Sequence, residues 1–219
     1  QDPDNRFVAR GPRFRPSGEM LRDQALAVSG LLSAKMFGPP VRPMRPNLGI
    51  NIAFGSSGDW QTSVGEDRHR RSVYTDTRRS TPYPSFATFD APNRETCVIR
   101  RDRSNTPLQA FVTLNDPVFI EASQALARRL MKEASTDEAR LRRAYVLCLA
   151  REPDAAELAT LQTLLARSLQ EYRADTKLAE QMATQPLGPA DKGTDLAVLA
   201  AWTAVSSVIM NLDEFLMRR

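Results

Sequence analysis

The sequence has little of the two residue types on which metal and redox sites most depend. It holds two cysteines, Cys97 and Cys148, and one histidine, His69. Two distant cysteines are too few for a disulfide scaffold and lack the close spacing of a zinc or iron–sulfur site. No C-x-x-C-H motif occurs, which excludes covalent haem attachment to this chain. We therefore expect no metal and no cofactor here. Whether Cys97 and Cys148 pair or stay free is open at this stage.

Long apolar runs are also scarce. The longest, residues 196–210, is shorter than the roughly 20 residues that a membrane helix needs, so we expect no membrane span. The N-terminus shows no charged-then-apolar signal sequence. Because the chain opens with Gln1 rather than Met, we interpret it as a mature protein or as the excised C-terminal part of a longer one.

Lysine is the third scarce residue, since only four of the 30 basic residues are lysine. The net charge of +4 is unevenly spread: residues 1–103 carry 17 basic and 11 acidic residues, and the remainder carries 13 and 15. An anionic partner would therefore meet the front half first. No nucleic-acid-binding motif accompanies this charge, so we expect no nucleic acid as a partner.

Arginine is concentrated in residues 68–116, which hold nine arginines and no lysine. Arginine is favoured where a planar fork must hold a carboxylate, a backbone carbonyl or an anionic ligand in one geometry. This composition predicts either side chains that fix a loop in place or a surface that binds an anion.

The first half of the chain predicts one helix followed by an irregular layer. Ser17 is a suitable N-cap, and the apolar residues that follow have helical spacing. Gly38, Pro39 and Pro40 then end the pattern, and residues 38–67 show no clear period. Such a long connection in a compact domain is usually functional or fixed by side chains. Arg71, Arg94 and Arg100 are candidates for fixing it. The helical pattern comprises Leu21, Ala25, Val28, Leu32 and Met36.

The second half predicts helices only. Thr106 before Pro107 is a good N-cap and N1 pair, and residues 117–130 have an apolar stripe. Capping boxes are predicted at Ser135 with Glu138 and at Asp154 with Glu157. Thr194 is expected to open an apolar, central helix, and Asn211 with Glu214 to cap a last turn.

These patterns predict a mainly α protein, a helical bundle or orthogonal helical array with a long irregular layer rich in Pro and Arg. We expect residues 1–105 to form the first helix and the layer, and residues 106–219 to form the helical subdomain. Together they should make one compact domain.

One cluster of charged residues could carry chemistry. Asp90 and Glu95 could act as acid and base, with Arg94, Arg100 and Arg101 holding an anionic group. The alternative is that these residues fix the loop through ion pairs, which are commoner than active sites. Further candidate ligand-binding residues are Arg71, Arg79 and Trp60, although a tryptophan in a loop more often anchors it to the core.

Several motifs in fixed order resemble one family. They are LRDQALAVSGLL with GPPVRP, the stretch RRSVYTDTRRSTPYPSFATFDAPNRETCVIRRDRSNTPLQAFVTLNDPVFIEAS, and the later REPDAAEL and NLDEFL. The chain resembles the C-terminal domain of unknown function carried by planctomycete cytochrome-associated proteins. The resemblance implies an exported protein, periplasmic or at the cell surface, with upstream domains in the same polypeptide and haem c in one of them. It implies no catalytic residues.

Two functions remain open from the sequence. The first is a noncatalytic helical module of a larger exported, cytochrome-linked protein that binds an acidic polysaccharide or a partner domain. The second is a carbohydrate-active enzyme or enzyme subunit acting on sulfated or uronate-containing polysaccharide, with Asp90 and Glu95 as acid and base.

Overall fold

Nine α-helices make up most of the described chain, which confirms the mainly α prediction. The computed structural model describes residues 6–7, 11, 14–46, 60–79, 82–92 and 94–217, and these residues form no β-strand. The helices are α1 (Gly18–Ser29), α2 (Pro84–Thr88), α3 (Pro107–Asn115), α4 (Pro117–Glu133), α5 (Asp137–Leu149), α6 (Ala155–Ala174), α7 (Thr176–Thr184), α8 (Leu196–Met210) and α9 (Asp213–Leu216).

Helix α8 is the centre of the bundle, as its nearly uninterrupted apolar sequence predicts. A helix that is apolar on every face must be surrounded by other elements, and α8 packs against α4, α6 and α7. Its Trp202 is 1% exposed, and Leu199, Val205 and Ile209 are fully or almost fully buried. The bundle is therefore built around a helix that lies near the end of the chain.

Helix α1 packs on α4 and joins the same core. Leu21 and Ala25 of α1 and Phe89, just after α2, belong to one buried cluster with the side chains of α4, α5 and α8. Gly18 permits this arrangement, because a Cβ there would lie 2.9 Å from Cβ of Phe89. The first half of the chain thus supplies part of the core of the second half.

The irregular layer is held together by two extended segments that run side by side. Ser33 pairs with Arg70 and Val41 pairs with Thr75 as isolated parallel bridges. Val41 donates its N–H to Tyr74 and accepts from Asp76, both at 2.8 Å. Two short 3₁₀ helices, Gly65–His69 and Ser72–Tyr74, follow one another in the second segment.

The predicted first helix was too long. Helix α1 ends at Ser29, because Gly30 adopts a left-handed conformation with φ of 82° and donates its N–H to Ala27 and Leu26. Glycine takes this conformation without steric penalty and so commonly ends helices. Leu32 and Met36 lie beyond the helix, and Met36 is half exposed.

The predicted helix starts were right in some places and displaced in others. Asp154 caps α6 and forms the capping box with Glu157, and α3 begins at Pro107 as predicted. The prediction for Ser135 was wrong by one residue, since the hydroxyl of Thr136 accepts from Ala139. Asn211 is the C-cap of α8 rather than the N-cap of α9, and Asp195, not Thr194, caps α8.

Within the described chain, no helix combines the length and apolarity needed to cross a membrane. No group of three or more histidine, cysteine or acidic side chains in that part of the chain is placed to hold a metal ion.

Candidate functional site

Asp90 closes the base of an exposed loop. It follows α2 with a φ of 60°, and its carboxylate accepts hydrogen bonds from the N–H of Ser104 at 2.7 Å and from the hydroxyl of Ser104 at 2.8 Å. The buried Gln109 side chain donates to Thr88 O at 2.9 Å and lies 3.4 Å from Asp90. Both oxygens of Asp90 thus hold the two ends of the loop formed by residues 91–103 together.

A small cavity lies beside this clamp, at the N-terminus of α1. Its volume is about 50 Å³, and the N-cap Ser17 of the 12-residue helix α1 lies on its wall. We call it the Arg15 cavity. The residues that line it are Arg15, Pro16, Ser17, Phe89, Asp90, Arg101, Asp102 and Arg103.

Arg15 is the most unusual member of this lining. It is only 7% exposed, and its Nε and Nη1 atoms have no hydrogen-bond partner in the described part of the chain. Burial lowers the pKa of the guanidinium, and the charges of Asp90 and Asp213 oppose that shift. Each buried donor without a partner costs about 1 to 3 kcal/mol. The guanidinium of Arg15 is therefore buried with two of its nitrogen donors, Nε and Nη1, unsatisfied in the described part of the chain.

Other buried arginines differ from Arg15 in this respect. Arg22, Arg70 and Arg128 also bury an unpartnered Nε, but their remaining nitrogens donate to backbone carbonyls. Arg15 instead lies 5.7 Å from the centre of the Phe89 ring. Arg15 thus differs from the other three in having no backbone carbonyl among its hydrogen-bond partners in the described part of the chain.

Arg101 and Arg103 complete the positive side of the cavity. Nη1 of Arg101 lies 3.0 Å from both carboxylate oxygens of Glu19. Burial alone would raise the pKa of Glu19, but hydrogen bonds from its own N–H, from Ser17 and from Arg101 outweigh burial and lower it. Arg103 lies 5.8 Å from the centre of the Phe14 ring. The three arginines outnumber the two aspartates of the lining.

Only one member of the predicted acid and base pair lines the Arg15 cavity. Asp90 lines the Arg15 cavity, whereas Glu95 is exposed and does not line it. Because both oxygens of Asp90 already accept hydrogen bonds from Ser104, this carboxylate is positioned as a structural clamp.

The other predicted ligand-binding residues lie apart from the cavity, except Arg101. Arg71, Arg79, Arg94 and Arg100 are exposed. As exposed side chains, Arg71, Arg94 and Arg100 can fix the layer only weakly, because the entropy cost of ordering them offsets most of the gain from an ion pair. Trp60 donates from its indole N–H to Pro43 O at 2.8 Å and stacks on Tyr83 with 5.9 Å between the ring centres.

Arg22 holds the layer instead, and sequence reasoning missed it. It is 2% exposed and donates to Arg68 O at 2.7 Å, Arg70 O at 2.9 Å and the hydroxyl of Ser72 at 3.1 Å. The available signal was a charged residue between Leu21 and Ala25, on the apolar face of α1.

Glu121 of α4 forms a second attachment point for the layer. It is 1% exposed, and its carboxylate contacts Arg68 and lies 3.0 Å from Nε2 of His69. A buried carboxylate needs such partners to offset its lost hydration. Arg68 and His69, the single histidine of the sequence, therefore have a structural role as partners of the buried Glu121.

A buried acid joins α2 to α4. Asp116 accepts from the N–H of Val118 at 2.9 Å and from the hydroxyl of Ser85. Burial raises the pKa of Asp116, while these hydrogen bonds and the charge of Arg22 oppose the shift. Burial also raises the pKa of the neighbouring Tyr83 phenol.

A wider opening of about 530 Å³ lies between α1, the end of α5 and α9. Cys148 lines this opening but is itself buried. Burial raises the pKa of its thiol to about 12. Such a thiol is protonated at neutral pH and is a poor nucleophile. Cys97 is exposed and both cysteines are free. The polar groups of this opening pair with one another, as Arg151 does with Glu214 at 2.8 Å.

Comparison with known proteins returned one family. A search of curated proteins and a search of solved structures each found no match. A family model described as PSD1, protein of unknown function (DUF1553), matches residues 1–165. That range includes the Arg15 cavity, the clamp at Asp90 and the attachment points at Arg22 and Glu121. The chain belongs to this DUF1553 family.

Proposed function

We propose that this domain is a noncatalytic module of a larger exported, cytochrome-linked protein, and that its arginine-bearing surface binds an acidic polysaccharide. The observation that carries the proposal is the loop of residues 91–103. Arg94, Arg100, Arg101 and Arg103 are all exposed there, while Asp90 beneath them is used as a clamp.

The loop favours binding over catalysis. Its four exposed arginines face only two acidic residues, Glu95 and Asp102, and arginine forks suit sulfate and carboxylate groups. To act as acid and base, Asp90 and Glu95 would both have to reach the same bound substrate. Glu95 does not line the cavity that Asp90 lines. The exported location and the haem-bearing upstream domain are part of the proposal and rest on the sequence resemblance.

The experiment is binding of the isolated domain to sulfated, uronate-rich and neutral polysaccharides at low salt. We expect weak binding to the two acidic classes only, which fades as salt screens charges beyond roughly 10 Å at 0.1 M. Replacing Arg94 and Arg100 by Gln should weaken it. The matched control replaces Arg167 and Arg173 of α6 by Gln, two exposed arginines outside the loop. Equal loss in control and test variants would mean that net charge alone causes the binding.

The same mixtures test the enzymatic alternative. The proposal expects no new reducing ends and no unsaturated products. Products that disappear in Asp90→Asn and Glu95→Gln variants would replace the noncatalytic module by a carbohydrate-active enzyme. Equally strong binding to neutral and acidic polysaccharides would also contradict the proposal. Charge attraction by arginines requires negative groups on the polysaccharide, and a neutral chain has none.

A further inference from the structure

We propose that the outer face of α3 is a docking surface for an amphipathic helix of a partner protein, one whose apolar side chains are accompanied by acidic residues. The surface consists of Leu108, Phe111 and Leu114, and we call it the α3 face. The inference goes beyond the proposed function, since it concerns a second kind of ligand and a surface whose main contacts are apolar.

Helix α3 is turned opposite to an ordinary surface helix. Its polar Gln109 and Thr113 are 0% and 3% exposed. Leu108 and Phe111 are 60% and 63% exposed, and Leu114 is 37% exposed. A surface helix normally buries its apolar stripe and exposes its polar side. The orientation of α3 therefore leaves exposed the side chains that a helix of this kind would ordinarily bury.

Hydrogen bonds on the buried side fix this orientation. Nε2 of Gln109 donates to the backbone oxygen of the last residue of α2 at 2.9 Å and to the hydroxyl of Ser104 at 3.1 Å. The hydroxyl of Thr113 donates to the side-chain oxygen of Asn211. A rotation of the helix that buried Phe111 would break these hydrogen bonds and leave buried polar groups without partners, which is unfavourable.

The three exposed side chains form one continuous face. An α-helix turns by about 100° per residue, so positions three apart differ by about 60°. Leu108, Phe111 and Leu114 thus span an arc of about 120° centred on Phe111, with Gln109 and Thr113 about 160° away from that centre. Residues 107–115 include no charged side chain. Single exposed apolar residues are ordinary, whereas a contiguous apolar patch is typical of an interaction site.

A helix is the element that suits this face. Within the described chain there is no sheet to whose edge an extended segment could add. Side chains three residues apart form a ridge on α3, and such ridges pack into the grooves of a second helix. The nine residues of α3 span about 14 Å at 1.5 Å per residue, so a partner helix would cover them with about two to three turns.

The charge beside the α3 face determines the kind of helix. A shallow opening there is lined by three arginines, one acid and a serine: Arg100, Arg101, Asp102, Arg103 and Ser104. Ser104 contacts Gln109 in the first turn of α3. The arginines therefore lie near the N-terminal end of the helix, where the helix dipole adds positive charge. Acidic residues on the partner would be complementary to this end of the face.

A second copy of this chain and a lipid surface fit the α3 face less well. A second copy would bring two arginine-bearing loops into one interface without additional acids to pair with them. A helix that lies on a lipid surface carries Lys or Arg on an exposed polar side. The polar side of α3 is buried and uncharged.

The test measures binding of two labelled peptides to the protein by fluorescence anisotropy at low salt. Both peptides are amphipathic helices longer than about 15 residues, with leucine on one side and either glutamate or lysine on the other. We expect saturable binding of the glutamate peptide and at least about tenfold weaker binding of the lysine peptide. Equal binding of the two, or no saturable binding of the glutamate peptide, would overturn the inference.

Leu108→Gln and Phe111→Gln locate the binding. Each should raise the Kd of the glutamate peptide at least about tenfold, because each removes apolar area that the peptide would cover. The matched control is Leu178→Gln, since Leu178 also lies in the first turn of a helix, α7, and is 47% exposed. Because all three side chains are exposed, we expect Tm values near that of the wild type. A Kd that is unchanged in the α3 variants, or that rises equally in the control, would contradict the assignment.

Further measurements decide between this occupant and the others. Sedimentation should show a monomer, and a dimer that dissociates in Phe111→Gln would make a second copy the occupant instead. Vesicles of phosphatidylglycerol that bind the wild type but not Phe111→Gln, without peptide binding, would replace the helix by a lipid surface. Acidic polysaccharide should bind Phe111→Gln as it binds the wild type, so that failure of the peptide result leaves the proposed function standing, and the reverse.

Discussion

At the scale of single residues, Arg22 connects the irregular layer to the bundle through backbone acceptors. Its three hydrogen bonds reach residues 46 to 50 positions away in the sequence. Its Nη1 lies 3.7 Å from Asp23, whose carboxylate also accepts from the N–H of Ser72 at 2.7 Å. Arg22 and Asp23, in one turn of α1, thus fix residues 68–72, which lie outside the α-helices.

Replacing Arg22 by Met should therefore destabilise the protein strongly. We expect the free energy of unfolding to fall by on the order of 3 to 5 kcal/mol, because two backbone carbonyls and the Ser72 hydroxyl lose a buried, charged donor. Urea unfolding measures the change. The control is Arg71→Met, whose side chain is 54% exposed and lies 4.0 Å from Asp23; it should cost less than about 1 kcal/mol. Equal losses in the two variants would contradict the assignment.

Glu157 gives a prediction about pH. Nη1 and Nη2 of Arg151 donate to its two oxygens at 2.7 and 2.5 Å. These hydrogen bonds, together with a weaker contribution from the N–H of Asp154, lower its pKa from 4.5 to about 2. The unfolded state therefore takes up the proton first as pH falls. The stability that the ionised carboxylate contributes is complete above its unfolded pKa and is lost progressively towards its folded pKa.

The measurement compares the wild type with Glu157→Gln, which keeps an acceptor for the capping box. We expect a stability gap below about 1 kcal/mol near neutral pH, since both partners are partly exposed. The gap should close as pH falls from 4.5 to about 2. In an Arg151→Gln background the gap should vary much less with pH in this window, because only the hydrogen bond from the N–H of Asp154 still lowers the pKa of Glu157. An unchanged pH dependence in that background would mean that Arg151 is not the main cause.

At the scale of elements, the contact between α1 and α2 depends on one missing methyl group. A Cβ at Gly18 would lie 2.9 Å from Phe89 Cβ and 3.3 Å from Phe86 Cα. Helix propensity alone predicts that Gly18→Ala stabilises α1. We expect the opposite, a loss of about 1 to 3 kcal/mol from overpacking, measured by thermal or urea unfolding.

Gly11→Ala is the matched control, since a Cβ there meets nothing within 4 Å in the part of the chain that the structure describes. It should leave the Tm nearly unchanged. A Gly18→Ala variant at least as stable as the wild type would show that α1 and α2 can shift apart without penalty.

The elements also show what sequence alone can predict. The N-terminus of α6 and the burial of α8 were predictable, because a capping box and an apolar run are local signals. The end of α1 was missed because the left-handed Gly30 competes with an apolar spacing that continues to Met36. Helix α7 was missed as a separate element, although Asp175 caps it through the N–H of Leu178.

The candidate site was only half predictable for the same reason. Asp90 and Arg101 were singled out from their local composition, and both line the cavity. Arg15 was not, because its burial depends on Phe89, which is distant in sequence. Arg22 and Glu121 likewise look like charged residues on amphipathic helices until the layer covers them. Long-range contacts assign these residues their roles, and no short pattern encodes such contacts.

At the scale of the whole molecule, the boundary of the family match and the boundary of the folded unit differ. The match ends at residue 165, within α6 (Ala155–Ala174). The central helix α8 lies entirely beyond it, yet α8 packs against α4, α6 and α7. The residues that the family model matches therefore surround a core that they do not complete.

A chain that ends at residue 165 should not fold cooperatively. It would lack the buried side chains of Leu199, Trp202, Val205, Ile209 and Met210, each of which stabilises by about 1.5 to 3 kcal/mol. Their sum, about 8 to 15 kcal/mol, matches the whole stability of a typical domain, about 5 to 15 kcal/mol. We expect a broad, non-cooperative thermal transition and binding of a hydrophobic dye, as in molten globules. A chain shortened only by Arg218 and Arg219 is the control and should unfold like the full chain. A sharp transition in the chain that ends at residue 165 would show that α1, α4 and α5 form a sufficient core without α8.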